Sequence, residues 1–142
     1  NGACTRYGIS STAYDYDENG KLTSKRTCDA AGSSSSRAGQ CWGYEYKQDP
    51  STNKTTEFRC GWYKAGEKCS NYTEATDYTY DSDGKMLSKN SCSSWDANGC
   101  TAYSSGQEYT YDEEGNQTSH RQCDSWSGTT CSKWWDRNYS LK

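Results

Sequence analysis

Aromatic and polar residues alternate along short stretches of this chain, and a turn follows each stretch. The clearest copy is Tyr78-Thr79-Tyr80, followed by Asp81-Ser82-Asp83-Gly84, a second polar segment and Cys92. Alternation with a period of two predicts a strand with one apolar face. Asp and Gly then supply turn chemistry, because Asp bonds the backbone two residues on and Gly tolerates a positive φ. The stretch predicts a β-hairpin that ends at a cysteine.

The same pattern recurs along the chain. Tyr14-Asp15-Tyr16 leads to Cys28 and Tyr109-Thr110-Tyr111 leads to Cys123, with the second Tyr and the Cys 12 residues apart in each of these copies. A further copy, from Tyr44-Glu45-Tyr46 to Cys60, is longer because the segment 49–53 replaces the tight turn. Successive copies lie 31 or 32 residues apart. This period indicates a repeat array, in which neighbouring units bury the apolar face that a single unit would leave exposed.

The repeat predicts an all-β fold, a tandem β-hairpin repeat array arranged as a twisted antiparallel sheet or as a β-solenoid-like stack. We expect a single repeat domain over residues 1–142. Its units are approximately 4–28, 41–60, 69–92 and 100–123, followed by an incomplete C-terminal strand at 131–142. A helix is not expected, because no segment has apolar residues at the spacing of a helix face.

Composition makes an ordinary aliphatic core impossible. The chain has no Val, one Ile and three Leu, and its hydrophobic residues include 13 Tyr and 6 Trp. Low hydrophobicity is also typical of disordered chains. The aromatic residues, the regular repeat and the cysteines argue for a folded array instead. The net charge of −3, with both signs interleaved, predicts no nucleic-acid partner, and no apolar run is long enough to span a membrane.

The 9 cysteines are regularly spaced. Zinc binding is a poor explanation, since the chain has no Cys-x-x-Cys and a single His. Disulfides are the better explanation, and they predict an oxidising compartment and a secreted, extracellular or cell-surface protein. The short loops between units favour the pairs Cys28–Cys41, Cys60–Cys69, Cys92–Cys100 and Cys123–Cys131. A rival scheme pairs the ends of each unit: Cys4–Cys28, Cys41–Cys60, Cys69–Cys92 and Cys100–Cys123.

The preferred pairing depends on the hairpin register and leaves one cysteine over. A turn centred between Asp81 and Gly84 places Cys92 opposite Thr73 and not opposite Cys69, which argues against the rival scheme. Cys4 is then unpaired within the chain. An odd cysteine in a secreted protein predicts an intermolecular disulfide.

The segment from Tyr14 to Leu22, which reads Tyr-Asp-Tyr-Asp-Glu-Asn-Gly-Lys-Leu, resembles the YD repeats of Rhs-type bacterial proteins and teneurins. The segments from Tyr78 to Leu87 and from Tyr109 to Gly115 are similar to the same pattern. The resemblance covers the hairpin cores. It implies strand-turn-strand units and a role as scaffold or casing rather than catalysis. Those repeats are shorter and lack cysteine, so the resemblance extends to the hairpin and not to the closed shell they build.

The sequence contains few candidates for metal-binding or catalytic residues. The acidic turn Asp81-Ser82-Asp83-Gly84 is similar to part of a calcium loop, but Cys92 stands where the bidentate Glu of such a loop is required. We therefore expect turn hydrogen bonding, with no metal and no cofactor. His120 aligns with Lys25, Glu57 and Lys89 in the other copies, which predicts an exposed strand position. With no nucleophile, phosphate-binding or Cys–His motif in the chain, we expect no catalytic residues and no enzyme.

Recurring tryptophans are the candidate binding residues. Trp62, Trp95 and Trp126 each follow a cysteine by two or three residues, in loops between units. They suit either stacking on sugar rings or covering their own disulfide. Trp134 and Trp135 lie in the incomplete strand and are candidates for assembly contacts. Glycosylation sequons occur at Asn53, Asn71, Asn116 and Asn138.

These features predict an extracellular structural protein, a self-assembling subunit of a filament, coat or surface layer built by end-to-end strand pairing. Its partner is then another copy of itself. The alternative is a multivalent glycan-binding module that uses the Trp-bearing loops, with carbohydrate as the partner.

Overall fold

The computed structural model describes residues 11–29 and 36–137. Cys4, Asn138 and residues 30–35 of the Ser-rich segment 29–40 lie outside this range. The described residues form nine strands: β1 (Ser11–Tyr16), β2 (Leu22–Cys28), β3 (Gln40–Asp49), β4 (Lys54–Lys64), β5 (Tyr72–Tyr80), β6 (Met86–Asp96), β7 (Gly99–Tyr111), β8 (Gln117–Ser127) and β9 (Thr130–Asp136).

The strands form one open antiparallel sheet in which every strand lies beside its neighbours in the chain, in the order β1 to β9. The all-β hairpin array is confirmed, and it is the sheet rather than the solenoid-like stack. Four predicted hairpins and one further strand account for the nine strands. Across the described ranges there is no long apolar helix of the kind that crosses a membrane.

Aspartates organise the tight turns as predicted. The Asp81 carboxylate accepts hydrogen bonds from the backbone N–H groups of Asp83 (2.9 Å) and Lys85 (2.8 Å), and Gly84 has a φ of 83°. Asp17 and Asp112 make equivalent bonds in their turns. The hydrogen bond from the Asn116 backbone holds the pKa of the Asp112 carboxyl below its ordinary value.

The hairpin register differs from the one expected. Thr76 lies opposite Ser91 and Tyr78 opposite Lys89, and the pairing shifts at a bulge between Thr79 and Tyr80. Counting from the turn placed Cys92 opposite Thr73, whereas continuing the observed ladder brings Cys92 towards Ala75. The turn pairs Tyr80 with Met86 and not with Lys85, which shifts the register by one residue, and an extra residue at the bulge shifts it by one more. The same irregularity follows Asp15 in β1 and Thr110 in β7.

The predicted loops after Cys92 and Cys123 are also strands. β6 continues to Asp96 and β7 begins at Gly99, so only two residues turn the chain there. Cys92 therefore lies opposite Tyr103, and Cys100 lies opposite Trp95. The prediction that these cysteines face each other at the base of a loop was wrong. They are joined diagonally across a second, shorter hairpin.

The structure joins Cys28 with Cys41, Cys60 with Cys69, Cys92 with Cys100, and Cys123 with Cys131. These are the pairs that the short loops favoured. Cysteines also supply much of the core, since Cys28, Cys41, Cys60 and Cys123 are buried while Phe58 and Ala75 are the other buried hydrophobic residues of the described chain. In a protein with so little aliphatic content, the disulfides serve as both cross-links and buried apolar groups.

Two compact units can be distinguished. The first contains the described residues up to Tyr46 together with Phe58–Glu74, and the second contains Lys47–Glu57 together with the described residues from Ala75 onward. In the first unit the Phe58 ring packs against Tyr72, with ring centroids 5.0 Å apart. In the second, buried polar side chains predominate: Thr56, Asp77, Ser88, Asn90 and His120.

Candidate functional site

The outer strand β1 carries exposed aromatic rings. Tyr14 is 51% exposed and Tyr16 is 61% exposed. The same Tyr-x-Tyr motif recurs on β5 and β7, where Tyr78, Tyr80, Tyr109 and Tyr111 are all only partly exposed. Identical motifs therefore differ in burial according to their place in the sheet.

The interior motif is covered by the hairpin that precedes it. The Tyr111 hydroxyl donates to the Met86 carbonyl (2.7 Å), and the Lys85 ammonium lies 5.3 Å from the Tyr111 ring centroid. The Asn53 amide likewise donates to the carbonyl of Tyr80 (2.9 Å). Burial raises the pKa of Tyr80. Within the described chain, β1 has β2 as its only neighbour, so its rings lack such cover.

In the three copies on β1, β5 and β7, the first tyrosine contacts a side chain from the next strand. The Lys25 ammonium lies 5.9 Å from the Tyr14 ring centroid, and that of Lys89 lies 5.8 Å from the Tyr78 centroid. In the third copy the His120 ring stacks on Tyr109, with centroids 4.7 Å apart. The prediction that His120 is exposed was wrong: it is 8% exposed. A flat ring stacks fully on the tyrosine, whereas the ammonium of a lysine stays in water.

The other outer strand, β9, exposes one of its two tryptophans. Trp135 is 56% exposed. Trp134 instead packs edge-on against Trp126, with centroids 6.0 Å apart, beneath the Arg121 guanidinium at 4.3 Å. Of the two predicted assembly aromatics, Trp135 is exposed and Trp134 is partly buried.

The three recurring tryptophans lie within strands and not in loops. Trp62 is in β4, Trp95 in β6 and Trp126 in β8, and all are partly buried. Trp126 packs against Tyr103 at 5.0 Å, and Trp62 packs against Trp42 at 6.4 Å. These two rings therefore pack against other aromatic rings, which replaces the aliphatic packing that this chain lacks. Glycan stacking by the three tryptophans stays a prediction.

The described sequons lie on the surface but differ in their hydrogen bonding. Asn53, Asn71 and Asn116 are exposed. The Asn53 side-chain amide donates to the carbonyls of Tyr80 and Asp81. That of Asn116 donates to the Asp112 carboxylate at 3.2 Å. A glycan on either nitrogen would replace these bonds, whereas Asn71 precedes β5 in a segment outside the strands.

A buried carboxylate is the feature that sequence reasoning missed. Asp77 on β5 is 1% exposed. It accepts hydrogen bonds from the hydroxyls of Thr56 (2.6 Å) and Tyr103 (2.6 Å), and the Lys54 ammonium lies 3.6 Å away. Burial and the Asp77 hydrogen bond raise the pKa of Tyr103. Nothing in Thr-Asp-Tyr distinguishes this Asp from an exposed strand residue, so no sequence signal was present.

Two clusters in the described residues bring a carboxylate near two cysteine sulfurs, namely Glu45 with Cys60 and Cys69, and Asp77 with Cys92 and Cys100. Both cysteine pairs are disulfides. Because the thiolate is the metal ligand, these groups are poor metal sites while the disulfides are intact. Asp77 is better explained as the acceptor of a buried hydrogen-bond network.

The first unit contains a polar cavity of about 330 Å³ beside the Cys60–Cys69 disulfide. Glu45 lines it and accepts a short hydrogen bond from the Tyr72 hydroxyl. Burial and this contact raise the pKa of Tyr72 to about 12.

We expect the free energy of unfolding to fall at alkaline pH. A tyrosine whose pKa is raised from 10.0 to about 12 on folding keeps its proton in the folded state while the unfolded state loses it. Its contribution is complete below pH 10 and is lost as the pH rises through 12. Denaturant titrations at several pH values should show this fall, and Tyr72→Phe should reduce it. A wild-type profile that stays flat to pH 12 would contradict the assignment.

The fold and its cross-links define a class: a disulfide-linked all-β repeat protein with an open sheet, of the kind typical of an oxidising environment. Neither a protein-family model, nor a curated protein, nor a solved structure matches this chain. The resemblance of the hairpin cores to YD repeats stays a prediction.

Proposed function

We propose that this is a secreted structural protein whose copies pair through their outer strands β1 and β9 to build a filament, coat or surface layer. The observation that carries the proposal is the exposure of Tyr14 and Tyr16, at 51% and 61%, on a motif that the interior of the sheet covers elsewhere. A strand supplied by a second copy would provide the missing cover. The proposal assigns the protein no catalytic activity.

The outer strands carry the backbone groups and apolar side chains that pairing between copies requires. An edge strand presents unpaired N–H and C=O groups to a neighbouring chain. Three of the four large hydrophobic residues exposed in the described chain, Tyr14, Tyr16 and Trp135, lie on β1 and β9. Burying such a ring contributes about 25 cal/mol per Å² of apolar surface.

The two edges are different surfaces, which favours a chain of copies over a closed pair. β1 leads into the acidic residues Asp17 and Glu18, while Lys133 and Asp136 on β9 and Arg137 after it leave one excess positive charge. Opposite charges then meet when β1 of one copy approaches β9 of the next. A contact between two unlike surfaces need not close and can propagate as a fibre.

Four disulfides in the described chain favour an oxidising location, and secretion is part of the proposal. Cys4 lies outside the described residues. We propose that it links adjacent copies. In that case the assembly resists detergent until it is reduced, and Cys4→Ser removes this resistance without abolishing strand pairing.

Single substitutions on the edges should disrupt assembly. Tyr16→Ser and Trp135→Ser should each weaken self-association about tenfold or more, since a buried aromatic ring contributes about 1.5–3 kcal/mol and 1.4 kcal/mol corresponds to a factor of about ten. Sedimentation velocity over a concentration series, with electron microscopy of the same samples, measures the effect.

Leu87→Ser is the matched control. Leu87 is the remaining exposed large hydrophobic residue of the described chain, and it lies on the interior strand β6. It should leave assembly unchanged. A wild-type chain that stays monomeric at high concentration would overturn the proposal, as would a loss of assembly in Leu87→Ser equal to that in the edge variants.

A further inference from the structure

The polar cavity of the first unit has the features of a small-molecule site. Its volume of about 330 Å³ lies at the lower end of the range for ligand pockets. Side chains from β1, β2, β3 and β4 line it, and so does the segment that leads to Cys69. The Cys60–Cys69 disulfide ties that segment to β4, so the cavity wall is held by a covalent link.

Arg26 gives this cavity an unsatisfied donor. One terminal nitrogen of its guanidinium lies 3.1 Å from the Asp15 carboxylate. Its Nε atom is buried and has no hydrogen-bond partner within the described chain. A buried N–H without an acceptor costs about 1–3 kcal/mol. Because the Nε atom is closed to solvent, the lining must move slightly before a ligand oxygen can reach it, and that contact would then remove the cost.

The charges around Arg26 restrict what the ligand can be. The carboxylates of Asp15, Glu45 and Glu67 line the cavity together with the cations of Arg26 and Lys68. A simple anion or a simple cation meets like charges as well as opposite ones in this lining, so it gains little net attraction for the water it must lose. A neutral polyol avoids this penalty, because each hydroxyl group can accept from the guanidinium and donate to a carboxylate.

Two phenol rings complete the cavity. Tyr44 and Tyr63 line it beside the charged groups, and burial raises the pKa of Tyr63. Aromatic faces provide apolar contact area for the C–H faces of a ring, while the polar groups fix its orientation. A pyranose combines a ring of hydroxyl groups with apolar C–H faces.

We propose that this cavity binds a neutral monosaccharide unit, with the Arg26 guanidinium donating to a sugar hydroxyl and Glu67 accepting from another. The site is distinct from the three tryptophans that the sequence suggested for glycan stacking. The cavity lies within one copy, and because β1 contributes Asp15 to it, binding is measured on the monomer, apart from strand pairing.

The test is a titration of the full, oxidised chain at a concentration where it is monomeric, followed by ¹H–¹⁵N correlation NMR. The probes are methyl glycosides of neutral hexoses, with glycine as a zwitterion and sodium phosphate as an anion. We expect at least one glycoside at millimolar concentration to shift the Arg26 Nε–H resonance and the backbone amides of residues 24–26, 44–45 and 67–69. Glycine and phosphate should leave these signals in place.

Two variants decide whether the cavity is responsible. Arg26→Lys keeps the positive charge but removes Nε, and Glu67→Gln removes a carboxylate from an exposed position, so the second variant remains informative if the first does not fold. Each should weaken glycoside binding about tenfold. Glu113→Gln makes the same change in an exposed turn and should have no effect.

Three results would overturn the proposal: no shift with any glycoside, stronger shifts with glycine than with every sugar, or glycoside shifts unchanged in both cavity variants. None of these results bears on self-association, which is measured on other residues.

Discussion

Replacing Asp77 by Ala should lower the free energy of unfolding by about 3 kcal/mol or more. The side chain is 1% exposed, and three groups depend on it. The substitution leaves the Thr56 and Tyr103 hydroxyls without their acceptor, at about 1–3 kcal/mol for each buried donor. It also removes the partner of the Lys54 ammonium, 3.6 Å away. Lys54 is partly exposed, so water offsets part of this last loss.

Asp77→Asn is the matched control, because it keeps the volume of the side chain and one carbonyl oxygen. It should cost roughly 1–2 kcal/mol, since one hydroxyl keeps an acceptor and only the charge and one bond are lost. Denaturant unfolding with the disulfides intact measures both variants. Hydrogen exchange of the β5 and β7 amides should locate the loss. If Ala and Asn prove equally mild, the network does not stabilise the second unit as described.

Replacing Gly43 by Ala should destabilise the first unit by on the order of 3 kcal/mol. Gly43 on β3 lies opposite Arg26 on β2. An added Cβ would lie 2.0 Å from the Lys25 carbonyl oxygen and 2.7 Å from the Arg26 Cα. Both are backbone atoms of a paired strand, so no side-chain rotation relieves the overlap. The strands must separate, and their hydrogen bonds weaken.

Gly61→Ala provides the comparison within the same unit. There an added Cβ would meet the Asn71 side-chain nitrogen at 3.0 Å and a Thr73 methyl at 3.4 Å, which are ends of exposed side chains that can move. We expect a change of less than about 1 kcal/mol. Thermal and denaturant unfolding of the two variants should separate them clearly. Equal stability of Gly43→Ala and Gly61→Ala would show that β2 and β3 do not approach this closely.

Local sequence patterns predicted most of the fold. The Tyr-x-Tyr alternation followed by Asp and Gly predicts each hairpin, because the strand period and the turn both depend on residues close together in the chain. Cysteine spacing favoured the disulfide pairs that the structure contains, since Cys123 and Cys131 are too near in sequence to separate widely in a hairpin.

Properties that depend on neighbouring strands could not be predicted from the sequence. The bulge between Thr79 and Tyr80 shifts the register of its hairpin and recurs before the second Tyr on β1 and β7, but the alternation of residue types does not reveal it. The prediction for His120 was wrong because its aligned residues include two lysines, whereas the ring stacks on Tyr109 and shares a 2.8 Å hydrogen bond with the Gln107 side chain. Asp77 has the same local setting as an exposed Asp on a polar strand.

The same distinction applies to the candidate sites. Sequence alone determined that this chain is a cross-linked array of aromatic hairpins, and assembly through its outer strands stays a prediction. Only the tertiary structure decided that Trp134 is covered while Trp135 is exposed, and that Arg26 and Glu67 line one cavity. Spacing along the chain determines hairpins because their partners are adjacent in sequence. Burial and cavities depend on strands that meet only after the sheet has formed.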